Sequence, residues 1–108
     1  MSGWSDFTTA LATGAGDLAL SLWGDYAAQG IADAQSFAES SRRDIESWTQ
    51  QVRAGQITPD DLLYNIAADA EIAQLTALTQ ALKAQEEVAR FHEQLSQLVV
   101  NAALAALP

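Results

Sequence analysis

Cysteine is missing from the 108 residues, and histidine occurs once, at position 92. The first absence removes disulfide frameworks, thiolate metal sites and Cys nucleophiles. The second leaves any transition-metal site dependent on several carboxylates. Basic residues are scarce as well, with five Lys and Arg against fourteen Asp and Glu and a formal net charge of −9. That balance argues against nucleic-acid binding, which rests on neutralising phosphates, and gives no attraction to anionic lipid headgroups. No Lys or Arg precedes Arg42, so the cationic start of a secretory signal is lacking. No uncharged apolar run reaches the ~20 residues that span a bilayer. The expected location is therefore cytoplasmic or particle-associated. Val, Ile, Tyr and Phe are few and never alternate with polar residues, which removes the strand signal.

What is present favours helix. The chain holds 22 Ala, 13 Leu and 10 Gln, all strong helix formers, so the fold class is all-α. At 49% hydrophobic residues it is too apolar for intrinsic disorder, and its length sets a ceiling of one domain with one core.

The clearest punctuation lies around Pro59. Gly55 suits the left-handed residue that ends a helix. Thr58 is a candidate N-cap, with Pro59 at the first helical position and Asp60 and Asp61 facing the positive end of the helix dipole. A stop and a start so close predict an antiparallel α-hairpin over 17–108, with its turn at 54–58. The second arm runs from Pro59 almost to the end. A coiled-coil-like stripe follows it in steps of three and four from Leu63 and Ile66 through Ala70, Ala73, Ala77, Ala81 and Ala84 to Val88, Phe91, Leu95 and Leu98. At ~1.5 Å per residue such a helix reaches roughly 70 Å. The first arm runs from Asp17 to Arg53 along Trp23, Tyr26, Gly30, Ala34, Phe37, Ile45, Trp48 and Val52. Residues 1–16 read as a short helical segment carrying Trp4, Phe7 and Leu11, hinged at Gly14-Ala15-Gly16.

Residues able to carry chemistry have plainer explanations. Ala89 stands where a Glu-x-x-His site needs its Glu, and Ser96 where a His-Glu-x-x-His zinc motif needs its second His, so His92 reads as a flank of the helical stripe. Asp60-Asp61 and Glu86-Glu87 are adjacent pairs whose side chains diverge by about 100° on a helix, unlike a facing catalytic dyad. Glu86 and Glu87 lie within helical reach of Lys83 and Arg90, a solvated network. Gly14-Ala15-Gly16 has neither a preceding strand nor a nearby cation, so it does not read as a phosphate loop. No catalytic, cofactor-binding or metal residue is expected, and no cofactor: the chain reads as a non-enzyme.

What remains is apolar surface that two arms cannot cover. The expected intramolecular core is Trp23, Phe37, Ile45 and Trp48 against Ile66, Val88, Phe91 and Leu95. Ile72 also lies off the stripe, and Leu75, Leu78, Leu82, Val99, Val100, Leu104 and Leu107 are left over as the expected oligomer interface. These residues lead to a structural or assembly protein that self-associates into a helical bundle or ring, as a small multi-copy subunit of a larger particle such as a virion would. Two other functions compete. One is a membrane-associated protein using its apolar N- and C-terminal segments, disfavoured by the missing cations. The other is a small adaptor that holds a partner helix between its arms.

Overall fold

The computed structural model describes residues 3–70, 75–82 and 84–108; Ile72, Ala73 and Lys83 of the sequence reading lie outside them. Helix is the only regular structure among the described residues, in six segments: α1 Gly3–Trp23, α2 Ala27–Ser40, α3 Arg42–Arg53, α4 Pro59–Asp69, α5 Thr76–Leu82 and α6 Gln85–Ala106. The all-α class stands, but the two long arms do not.

The N-terminal hinge is replaced by continuous helix. Gly14, Ala15 and Gly16 lie inside α1, where Ala15 and Gly16 are buried. Their smallness serves close packing. α2 returns along α1 with Gly16 opposite Ala27 and Ile31, and a Cβ on Gly30 would sit 3.2 Å from both the Ala15 carbonyl oxygen and the Ala19 Cβ. On the other side α6 also runs antiparallel to α1, setting Leu98 over Gly14 and Ala106 beside Gly3. α1 is thus the shared wall between α2 and α6, and Trp4, Phe7 and Leu11 are buried in the core.

The first arm breaks where the chain reverses. Gly24 and Tyr26 both have positive φ, 69° and 70°, and the Asp25 side chain accepts the Tyr26 amide at 2.7 Å. Positive φ is costly for a residue like Tyr. Here the ring is held edge-on to Trp23, with centroids 6.1 Å apart. A second interruption at Ser41 separates α2 from α3. The turn before Pro59 follows its sequence signals. Gly55 is left-handed at φ 74°, and Thr58 and Asp61 form a reciprocal capping box with bonds of 3.0 and 3.1 Å.

The second arm departs most from expectation. Ala70 leaves helical geometry at ψ 66° and Ala84 is extended at φ −131°, ψ 102°. Breaking the rod lets Leu75 and Leu78 turn inward, where both are fully buried. Along a straight helix the inward row over this stretch is alanine, and the leucines would face away. Burying one leucine is worth about 1.5–3 kcal/mol, far more than one alanine methyl contributes. The result measures 40 × 27 × 21 Å with a radius of gyration of 13.2 Å, against the ~13 Å of a folded domain this long and the ~70 Å of the expected rod.

The residues of the expected oligomer interface are drawn inward for the same reason. Leu75, Leu78, Val99, Val100 and Leu107 are all buried within the single chain, and Leu82 and Leu104 pack partly buried against them. The first five present no outer surface on the folded chain, while Leu82 and Leu104 keep part of theirs. The residues assigned to the intramolecular core lie in that same cluster: Phe37, Ile45, Ile66, Val88, Phe91 and Leu95 are buried, with Trp23 and Trp48 partly so.

Candidate functional site

The polar side chains that reach between helices share one task, which is to tie down helix ends and turns. Asp33 is the most buried carboxylate described, at 3% exposure. It stands on the inward row of α2, between Gly30 and Phe37. Its two oxygens accept the backbone N–H groups of Ala77, at 3.0 Å, and Leu78, at 2.8 Å. These are the second and third residues of α5, whose amides have no partner inside the helix. An N-cap is normally supplied by the preceding residue; here another helix delivers it. Burial pushes the Asp33 carboxyl up from its ordinary value, and the Leu78 and Ala77 amides oppose that shift. The sequence carries a signal for this cap: a lone acid on the row Gly30, Asp33, Ala34, Phe37, Ala38.

Other helix ends are fastened similarly. Arg53 donates to the carbonyls of Leu104 and, at 2.9 Å, Leu107, closing the C-terminal end of α6. The Trp23 indole N–H donates to Glu87 at 2.9 Å while its ring stacks on Phe91, with centroids 5.7 Å apart. Ser41 donates to Asp69 at 2.6 Å, tying the α2–α3 break to the end of α4. The Arg42 guanidinium lies 4.8 Å from the Trp4 ring centre, joining α3 to α1.

The residues weighed for chemistry are not brought together. His92 Nε2 pairs with the Ala67 carbonyl at 3.0 Å, which makes it a link from α6 to α4. Asp61 is occupied in the capping box and Asp60 stands exposed beside it. Glu87 binds Trp23, while Glu86 is exposed. Among the described residues no three His, Asp or Glu are placed to share a metal ion, and every buried side-chain nitrogen or oxygen has a partner.

Concave surface follows α6 on both sides. One groove of about 440 Å³ runs between α1 and α6, lined by Gly14, Asp17, Leu18 and Ser21 on one wall and Gln94, Gln97, Leu98 and Asn101 on the other. A second, of about 410 Å³, lies between α4 and α6, lined by Leu63 and Ala67 against His92, Glu93, Gln94, Ser96 and Gln97. Gln94 and Gln97 form the ridge between them. Large apolar side chains are otherwise well covered: among the described residues only Leu20 and Tyr64 are exposed. No helix among them is long and apolar enough to cross a membrane.

No protein-family model, curated protein or solved structure matches the chain.

Proposed function

We propose that this protein is a non-catalytic binding module, a small acidic helical block that docks into a larger protein assembly. One observation carries the reading: the polar groups that bridge its helices are consumed in holding those helices, while two grooves along α6 have apolar floors and amide-rich rims, apart from a shallow polar hollow on α2 and α3. An enzyme instead sets titratable groups facing one another in a cleft, with perturbed proton affinity. Among the described residues the one carboxylate whose affinity clearly departs is a helix cap.

The assembly role carries over from the sequence, but its surface moves from the buried leucines to the outer faces of α1, α4 and α6. Native size-exclusion chromatography of extract from cells that make the protein tests this. The chain is expected to elute in a complex well above its own 11.5 kDa. Elution as a free single chain would contradict the reading.

A further inference from the structure

We infer that the α1–α6 groove takes a cationic amphipathic helix of a partner protein, two to three turns long. This rests on the binding-module reading above and names the occupant.

The groove's form selects the partner's shape. Its walls are two antiparallel helices, and the lining residues span Gly14 to Ser21 on α1 and Gln94 to Asn101 on α6. Eight residues of helix measure about 12 Å, or two turns. A trough parallel to two helix axes suits a third helix laid along it. An extended peptide would need a sheet edge to pair with, and the described residues contain none. Leu18 and Leu98 make the floor, and Gly14 leaves Leu98 uncovered from above by any side chain of its own. The partner's anchors are therefore a pair of leucine- or methionine-sized side chains one turn apart, set between Leu18 and Leu98.

The charge selects its sign. Asp17 lines the groove and is exposed, and Asp6 stands farther along the same helix. α6 adds Glu86, Glu87 and Glu93, against the single cation Arg90. Among the described residues the one ion pair joins Arg42 to Glu46 on α3, and Asp6, Asp17 and Glu93 are exposed with no ion pair to a described cation. Lys or Arg flanking the apolar anchors meets Asp17 on one rim and Glu93 beyond the other, while the amides of Gln94, Gln97 and Asn101 offer hydrogen bonds between. An acidic helix or an anionic lipid surface meets repulsion. A second copy of the chain carries the same excess of negative charge.

The probe is a synthetic 14-residue helix of Leu and Lys with Leu at three- and four-residue spacing, and a matched Leu/Glu helix serves as control. Each is titrated into the isotope-labelled full chain by NMR. Amide shifts are expected along Gly14–Ser21 and Gln94–Asn101, weakening as salt rises. The exposed double variant Asp17→Lys/Gln97→Lys is expected to raise the Kd at least tenfold. The variant Gln35→Lys/Glu39→Lys on exposed positions of α2 makes the same charge change and is expected to alter it less than threefold. Thermal melts confirm that both variants fold. Equal weakening by both pairs, shifts centred elsewhere, or equal binding of the Leu/Glu helix would overturn the occupant named here. So would self-association that covers the groove. If the chain elutes in a large complex from its own cells while the probe ignores the groove, the occupant is wrong and the module reading stands. Free elution overturns both.

Discussion

Asp33 and Leu78 stand 45 positions apart in sequence, and the Asp33 carboxylate accepts the Leu78 amide at 2.8 Å. Its other oxygen takes the Ala77 amide, so one side chain of α2 closes the start of α5. Replacing it by alanine strands two amides near the core. At about 1–3 kcal/mol for each unsatisfied buried group, less whatever water recovers, Asp33→Ala is expected to lower stability by roughly 2–4 kcal/mol. Asp33→Asn keeps one acceptor but turns an NH₂ toward the second amide, and is expected to fall between. Urea denaturation with an unchanged m-value checks both. An alanine variant as stable as the parent would remove the cap from the account.

The same carboxyl sets a pH dependence of unusual sign. Its folded-state pKa lies above the ordinary value of 3.8 because burial disfavours the charge. Between the unfolded and folded values the native state holds the proton more tightly. The stability it contributes is therefore full below the unfolded pKa and declines as pH rises through the folded one. The stability of the parent relative to Asp33→Asn should then fall on going from pH 3 toward neutrality and level off. Paired denaturation curves across that range check it, and a difference that grows with pH would contradict the shift.

Two glycines in helices should respond oppositely to alanine. At Gly14 the added Cβ meets the Leu98 methyls, both at 2.8 Å, and a partly exposed, flexible side chain rather than backbone must give way. Helix propensity then dominates, and Gly14→Ala is expected to be neutral or to stabilise by up to about 1 kcal/mol. At Gly30 the Cβ meets the Ala15 backbone oxygen and the Ala19 Cβ, both at 3.2 Å, with Phe91 at 3.4 Å. Two helices must separate, so Gly30→Ala is expected to destabilise by about 1–3 kcal/mol. Melting temperatures of the two variants compare them directly.

Arg53 should matter most at the far end of α6, whose last turn it binds through the Leu104 and Leu107 carbonyls. The site is largely exposed, so Arg53→Ala is expected to cost only about 1 kcal/mol. The sharper reading is local: hydrogen exchange should quicken over the last turn of α6 and leave α2 unchanged. Uniform acceleration along the chain would show the contact to be incidental.

The legibility of this fold divides between local and distant chemistry. The helical class and the Gly55–Asp61 turn were readable because their causes lie within a few residues: Ala and Leu propensity, a left-handed glycine, a reciprocal cap. The ends of α4 and α5 were not, since no Gly or Pro marks Ala70 or Ala84. The break forms because Leu75 and Leu78 gain more inside the bundle than alanine does along a rod, and because Asp33 meets α5 across space. Gly14-Ala15-Gly16 was ambiguous for a related reason. Small residues suit both a hinge and a close helix contact, and only the positions of Ile31 and Leu98 decide between them. The grooves beside α6 were not visible at all, since they exist only once α1, α4 and α6 are assembled. The sequence leaves Leu75, Val99 and Leu107 without a partner for the same reason, since only the assembled bundle encloses them.

The central claim is that these apolar residues close a single chain's own core and leave function to the outer grooves. Small-angle X-ray scattering of the isolated protein over a range of concentrations tests it most directly. The account predicts a monomer whose radius of gyration stays close to the 13.2 Å of the folded chain, apart from a small hydration increment. A value near 20 Å, as a rod of roughly 70 Å would give, or one that climbs with concentration, would contradict it.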